Sequence, residues 1–497
     1  SPVAPPFRHR PRTHTTMHVH PLTLIVASAV VLVLVPALAA PSRLPLCPKC
    51  EEVRGASKAC KGASGEDKII CDVLVSVCSF FECPINEVAD HLPASDHDGD
   101  KFSTDFGLRG YAWRGKDCDD HAPEIYPGRR SVPRGTDAAA DYNCNGISGR
   151  NASGTYEELF CGDKFAPQGL ILLSDSTGAH FDVPLRPAHL PEWPKMLDTE
   201  LDWPECSWAT AWEDDVKRCD GPYILGHVDS IYKRLVERNR CNLRDYQNIA
   251  VNGMRSGPMA AELVNTTARH KETDAPALVL LAEVANDVCN PHPGTSHMTE
   301  PAAYKTNMLS ILDQLDAMLP PNSNVVFFGY LHGEAYYQAM KDKPYPFAGI
   351  TYLEAWEFVN NQTVGAKHGD ARTLNPCYGW LNPNATLRAF TSARARALEA
   401  VYKDIIATKH YASFDMYYFD LPDEDIIASW AAKGGNVADL VSQVGGVHPS
   451  LVGSTLWADA IWTILETNIP HVLGPVNPHN AAITAMFGDQ GGHGDGR

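Results

Sequence analysis

Basic residues are in short supply in this 497-residue chain: 42 Lys and Arg stand against 60 Asp and Glu, for a net charge of −18. That deficit argues against a nucleic-acid partner and leaves room for cation binding. Zinc pairs are missing too. Among fourteen cysteines, Cys47-x-x-Cys50 is alone, with no second CxxC at zinc spacing. The even count suits disulfides in an oxidising compartment, in a pairing that the sequence leaves open. The N-terminal apolar run, Leu22 to Val35, is short for a membrane-spanning helix.

That run lies in MHVHPLTLIVASAVVLVLVPALAA, which begins at Met17 and carries small residues at Ala37 and Ala39. The pattern is that of a cleavable signal peptide, so residues 1–40 read as leader and signal. The segment has no Lys or Arg, which keeps a membrane anchor as the alternative. Sequons at Asn151, Asn265, Asn361 and Asn384 agree with a secreted glycoprotein, although such tripeptides also arise by chance.

Residues 41–90 hold Cys47, Cys50, Cys60, Cys71, Cys78 and Cys83. The stretch IICDVLVSVCSFF reads as a short buried helix stapled by disulfides, in a region too small to bury much core alone. Residues 91–150 are rich in carboxylates. DHDGDKF sets Asp96, Asp98 and Asp100 on alternate positions around a glycine; DCDD adds Asp117, Asp119 and Asp120; DAAADYNCNG adds Asp137, Asp141, Asn143 and Asn145. Hard oxygens on a sharply turning backbone suit Ca²⁺ in a structural role. Gly107 stands where a helix-loop-helix calcium loop would carry its twelfth-position acid, so a non-helical loop site is expected. The plainer alternative is a solvated acidic surface.

From residue 165 to about 485, short apolar runs alternate with amphipathic helices. GLILLSDS, ALVLLAEV (277–284), NVVFFGY (324–330) and FDMYYFD (414–420) read as buried strands. Tyr304, Met308, Leu312, Leu315 and Leu319 mark one helical face, and residues 391–406 form another helix. The alternation predicts an α/β fold, a three-layer α/β/α sandwich on a mainly parallel sheet, with chemistry at the carboxyl ends of its strands. Ser176, in SDSTGAH (174–180), and the Asn286-Asp287 pair fall at such ends, and His448-Pro449 sits far downstream in a Gly-rich stretch. A strand stopping on Asp-Ser before small residues can present a nucleophile beside free backbone N–H groups. Each residue also has a plain structural reading: a strand-to-helix turn for Asp-Ser-x-Gly, a helix cap for Asn286, a loop histidine for His448. His180 and His332 suit packing or surface roles.

Asp175-Ser176, NIAVNG (248–253), Asn286-Asp287 and His448-Pro449, in this order, resemble the Ser-Gly-Asn-His, or GDSL-type, hydrolase superfamily. LRGYAWRGKDCDD (108–120), YPGRR (126–130), TELDWP (199–204), CNLRDYQNIAVNG (241–253), NDVC (286–289) and FGDQGGH (487–493) resemble more closely the acyloxyacyl hydrolase family, over about residues 90–493. The resemblance implies a secreted lipase that removes secondary fatty acyl chains from lipid A of lipopolysaccharide, active at a membrane or lipid-aggregate surface. It implies Ser176 as nucleophile and His448 as general base, with an oxyanion hole from the Ser176 and Gly253 N–H groups and the Asn286 side chain. It also implies Ca²⁺ held by Asp96, Asp98, Asp100, Asp117, Asp120, Asp137 and Asp141, with the Phe102 carbonyl. Residues 41–90 would be a shortened saposin-like region, and the setting extracellular or the endolysosomal lumen.

The chain departs from the pattern at named positions. Gly445 stands three residues before His448, where the superfamily carries its orienting Asp; Ser174 and Ala285 stand where the nucleophile and Asn blocks carry Gly. Loss of a triad Asp costs about 10⁴-fold in turnover in well-studied cases. A backbone carbonyl, a water, or another carboxylate such as Asp459 would then have to orient His448. Two alternatives follow: a lipid-binding homologue with weakened catalysis, or an esterase on another acylated lipid or glycan.

Overall fold

Five segments pair in parallel register into one sheet: β1 (Gly169–Ser174), β2 (Tyr246–Asn248), β3 (Ala277–Ala282), β4 (Ser323–Phe328) and β5 (Phe414–Phe419), in the spatial order β2-β1-β3-β4-β5. The computed structural model describes residues 91–130, 138–162, 164–183, 200–212, 228–282, 285–330, 332–345, 349–364 and 372–493. The expected leader, the cysteine-rich region and Asp137 lie outside the described residues.

Strands covered on both faces need apolar side chains on both faces. In β1 this is met by Leu170, Ile171, Leu172 and Leu173, each fully buried and stabilising by about 2 kcal/mol. The two layers that cover the sheet are visible at the end of β4, where successive side chains point to opposite faces. Phe327 packs on Tyr402 of α5 (Ala385–Thr408), with ring centroids 4.6 Å apart. Phe328 meets Trp208 at 6.2 Å, and Trp208 in turn meets Trp457 of α7 (Leu451–Asn468). Helix α2 (Pro301–Met318) packs with α5 on the first side, and α1 (Ile231–Arg238) with α7 on the second. Helices α3 (Gly333–Met340), α4 (Tyr352–Asn360) and α6 (Asp423–Ala432) fill the long connections that flank β5. The expected α/β architecture is thus present as a five-stranded parallel sheet flanked by helices.

Two elements differ from expectation. Strand β2 carries no apolar run; its Tyr-Gln-Asn is held by polar pairing, with Gln247 donating to the Ala268 carbonyl and Asn248 to the Gly178 carbonyl and Thr210 hydroxyl. Helix α5 begins six residues before the expected Thr391, because the Asn384 side chain caps it by accepting from the Thr386 and Leu387 N–H groups.

Disulfides Cys118–Cys144, Cys161–Cys241 and Cys289–Cys377 tie together segments distant in the chain, and Cys289 and Cys377 are buried in the main core. No helix among the described residues is long and apolar enough to cross a membrane. Asn151, Asn265, Asn361 and Asn384 are all exposed.

Candidate active site and acidic loops

Strand β1 ends at Ser174, and the chain turns at once: the Gly178 and Ala179 N–H groups both donate to the Asp175 carbonyl. The turn is tight enough to explain the small residues. A Cβ at Gly178 would lie 2.6 Å from the Ser174 Cβ, and the Ser174 hydroxyl is anchored on the Ala282 carbonyl of β3 at 3.0 Å. Ser174 therefore braces the two strand ends.

The turn lifts Ser176 to the carboxyl edge of the sheet, where its Oγ lies 2.9 Å from Nε2 of His448, 272 positions downstream. Both residues are buried. The Phe181 ring covers the imidazole at a centroid distance of 5.0 Å. Burial holds the His448 pKa down at about 4, so the ring is neutral at pH 7 and able to accept the Ser176 proton. Its other nitrogen, Nδ1, is buried without a hydrogen-bond partner. Asp459 does not supply one, because its carboxylate pairs with Arg234.

The candidate oxyanion donors come from three neighbouring segments. The NIAVNG segment is tied to the end of β1 by the Val251 N–H on the Ser174 carbonyl. Its turn closes with Met254 N–H on Val251 O and places Gly253 at φ +67°, a conformation natural to glycine. Asn286 donates one amide hydrogen to Asp175 Oδ2 at 2.9 Å, while Asp175 Oδ1 accepts from the Thr177 N–H and hydroxyl. An amide carries a second N–H, which is what an oxyanion contact needs. Asp287, unassigned by sequence reasoning, is fully buried and accepts from the Ser256 N–H at 2.8 Å, the Ser256 hydroxyl at 2.9 Å and the Thr299 hydroxyl. It ties the loop after β3 to the loop after β2. Its signal was present in Asn-Asp, but only the fold shows which loop it reaches.

His180 and His332 lie outside the serine–histidine contact. His180 is fully buried, with Nδ1 3.0 Å from the Ser454 hydroxyl, and burial, then the neighbouring His448, lowers its pKa to about 3. His332 meets Glu424 at 3.0 Å.

The acidic loops divide into two groups. Asp96, Asp98 and Asp120 bring carboxylate oxygens within 4.8 Å of one another, as do Asp98, Asp100 and Asp117, so Asp98 belongs to both. The Oδ2 atoms of Asp98, Asp100 and Asp117 are buried with no hydrogen-bond partner. Burial raises all three pKa values, that of Asp100 to about 8 and that of Asp117 to about 6. Unpartnered carboxylates under that penalty fit a hard divalent cation. Phe102 sits within this loop, its N–H on Asp100 Oδ1. Asp119 is exposed and outside the cluster. Asp141, Asn143 and Asn145 form a separate turn: Asp141 accepts from the Asn145 and Gly146 N–H groups, and both asparagine amides donate to Glu157. The Cys118–Cys144 disulfide joins the two turns.

A serine at the carboxyl end of a parallel strand, facing a distant histidine, belongs with the serine acylhydrolases, and the profile described as GDSL-like Lipase/Acylhydrolase matches residues 198–461. Three curated relatives named acyloxyacyl hydrolase are each 36% identical to the chain. The rabbit (Oryctolagus cuniculus) protein matches over 448 residues, 85% of this chain and 73% of the relative; the Mus musculus and Homo sapiens proteins match over 86% and 73%. The chain belongs to the acyloxyacyl hydrolase family.

Proposed function

We propose that the chain is a secreted, calcium-stabilised serine esterase that removes secondary fatty acyl chains from lipid A of lipopolysaccharide. The observation that carries the reading is the 2.9 Å contact between Ser176 Oγ and a neutral His448 Nε2. Ser176 attacks the ester carbonyl as His448 takes its proton; the proton then passes to the leaving alkoxide, and water releases the acyl group by the reverse route. The Ser176 and Gly253 N–H groups and the Asn286 amide hold the oxyanion. Family membership supports the acyloxyacyl ester as substrate, met at a membrane or lipid-aggregate surface in the extracellular space or endolysosomal lumen. The disulfides agree with the secretory route. Asp96, Asp98, Asp100, Asp117 and Asp120 would hold Ca²⁺, which neutralises their mutual repulsion and fixes the loop.

The unpartnered Nδ1 of His448 favours a second reading, a lipid-binding homologue with weakened catalysis. Fatty-acid release from lipopolysaccharide, measured beside Ser176→Ala, separates the two. Release by the wild type and not by the variant supports the esterase, and equal inactivity of both folded proteins rejects it. Release from a simple acyl ester but not from lipopolysaccharide would move the substrate to another acylated lipid or glycan.

A further inference from the structure

The histidine loop is gripped by its backbone from two sides. Three aromatic donors hold three consecutive carbonyls: the Tyr352 hydroxyl on Gln443 at 2.7 Å, the Tyr345 hydroxyl on Val444 at 3.4 Å, and the Trp356 indole N–H on Gly445 at 3.3 Å. On the other side the Ser442 hydroxyl donates to Asp182 Oδ1. Asp182 follows the nucleophile turn by a few residues, and its own N–H and C=O are fixed by the Leu201 carbonyl and the Trp203 indole. Within the loop, the Ser442 N–H donates to the His448 carbonyl at 2.7 Å, Gly446 N–H to Ser442 O, and Ser450 N–H to Leu440 O, closing a hairpin around His448.

The glycine pair fits this grip. A Cβ on Gly446, whose φ is +70°, would lie 2.8 Å from the Tyr352 ring and 3.2 Å from Trp356, so only glycine lets the loop rest on those rings. The rings brace one another, Tyr345 edge-on to Tyr352 at 5.1 Å and Tyr337 stacked on Trp356 at 5.6 Å. A triad Asp does two things: it orients the imidazole, and it stabilises the imidazolium that forms. Here the backbone of His448 is fixed by the hairpin and its ring is confined between Ser176 and Phe181.

We propose that this backbone clamp, with Tyr352, Ser442 and Asp182 as positioning residues, takes over the orienting half of the missing acid's role at His448. The imidazolium-stabilising half is left undone. The inference rests on the serine–histidine reading above.

The test is a mutant cycle on the full-length protein that combines Tyr352→Phe, which removes one hydroxyl and keeps the ring, and Ser442→Ala with Gly445→Asp. Two readouts serve: kcat and KM on a p-nitrophenyl acyl ester, and the rate at which a fluorophosphonate labels Ser176. The clamp predicts that Tyr352→Phe/Ser442→Ala lowers kcat and labelling by roughly 10- to 100-fold with KM changed less than about twofold, the scale of a small misplacement of reacting groups. Adding Gly445→Asp should then restore at least about tenfold, more than it adds to the wild type, because the carboxylate supplies orientation as well as charge. Wild-type kcat in the clamp variants, or a loss that Gly445→Asp leaves unrepaired in protein of native circular dichroism, overturns the clamp. Should the double variant fail to fold, Tyr352→Phe alone carries the same comparison. A wild type that fluorophosphonate does not label defeats the esterase reading and the clamp together. A wild type that labels, beside variants that label equally fast, defeats the clamp alone.

Discussion

A Cβ built on Gly445 would stand 3.4 Å from Nδ1 of His448 and, among the described residues, has no other neighbour within 4 Å. The backbone there is not in the left-handed region, so Asp is sterically admissible at this position. Burial lowers the pKa of His448 to about 4, and no carboxylate among the described residues offsets it. Only the neutral ring accepts a proton, so kcat/KM should be flat from pH 7 down to about 5 and fall through pH 4. An Asp at 445 favours the protonated ring and should move that acid limb upward. A pH–rate profile of wild type beside Gly445→Asp checks the sign. An unmoved limb would mean that the introduced carboxylate does not reach Nδ1.

Asn286 should behave as a transition-state residue. Its amide is aimed by Asp175, and Asn286→Ala removes one donor while leaving the Ser176–His448 contact in place. The expected loss is about 10²- to 10³-fold in kcat, with KM little changed. Steady-state kinetics on a simple ester decide it, and a loss confined to KM would place Asn286 in substrate binding instead.

Asp287 is next to Asn286 in sequence, yet its role is in stability. Truncation to Ala leaves the buried Ser256 N–H and the Ser256 and Thr299 hydroxyls without their acceptor. The cost should be about 1–3 kcal/mol, that of leaving buried donors unsatisfied. Urea unfolding of Asp287→Ala measures it, and an unchanged midpoint would show that the loops are held by other contacts.

The contrast between these neighbours shows what the sequence makes legible. Ser176, Asn286 and His448 stand out because each sits in a short word at the end of an apolar strand or in a Gly-rich turn, and local pattern carries that information. Strand β2 escaped because Tyr246, Gln247 and Asn248 are buried through side-chain hydrogen bonds, which leave no apolar signature. The aromatic donors Tyr345, Tyr352 and Trp356 look like ordinary core from their spacing. They are core, but their polar tips reach carbonyls 89 to 99 positions away in the chain, and no local pattern records such a pairing. Asp459 is a candidate by residue type alone, and Arg234 from another helix pairs with it. In the acidic loops, composition shows that carboxylates are plentiful but not which of them meet. Five aspartates converge, while Asp141 turns to backbone N–H groups.

The acidic cluster yields the last expectation. Asp98 is shared by both carboxylate groups, and its Oδ2, with those of Asp100 and Asp117, lacks any hydrogen bond. Without a cation these buried oxygens repel one another, so Ca²⁺ should raise the melting temperature and chelation should lower it. A site filled at one hundred times its dissociation constant contributes about 2.7 kcal/mol, on the order of 3–4 °C for a domain of this size. Asp98→Asn removes charge from both groups and should abolish most of that response. Asp119→Asn, at an exposed position outside the cluster, should leave it intact. The loop also bonds to the hydrolase domain, because Lys101 Nζ donates to the carbonyls of Asn265 and Thr267. A cation that orders the loop should therefore stabilise the segment between β2 and β3 as well, and hydrogen exchange there should slow on adding Ca²⁺. Equal melting temperatures in Ca²⁺ and in chelator would reject the cation site, whereas a Ca²⁺ response unchanged by Asp98→Asn would move it to other ligands.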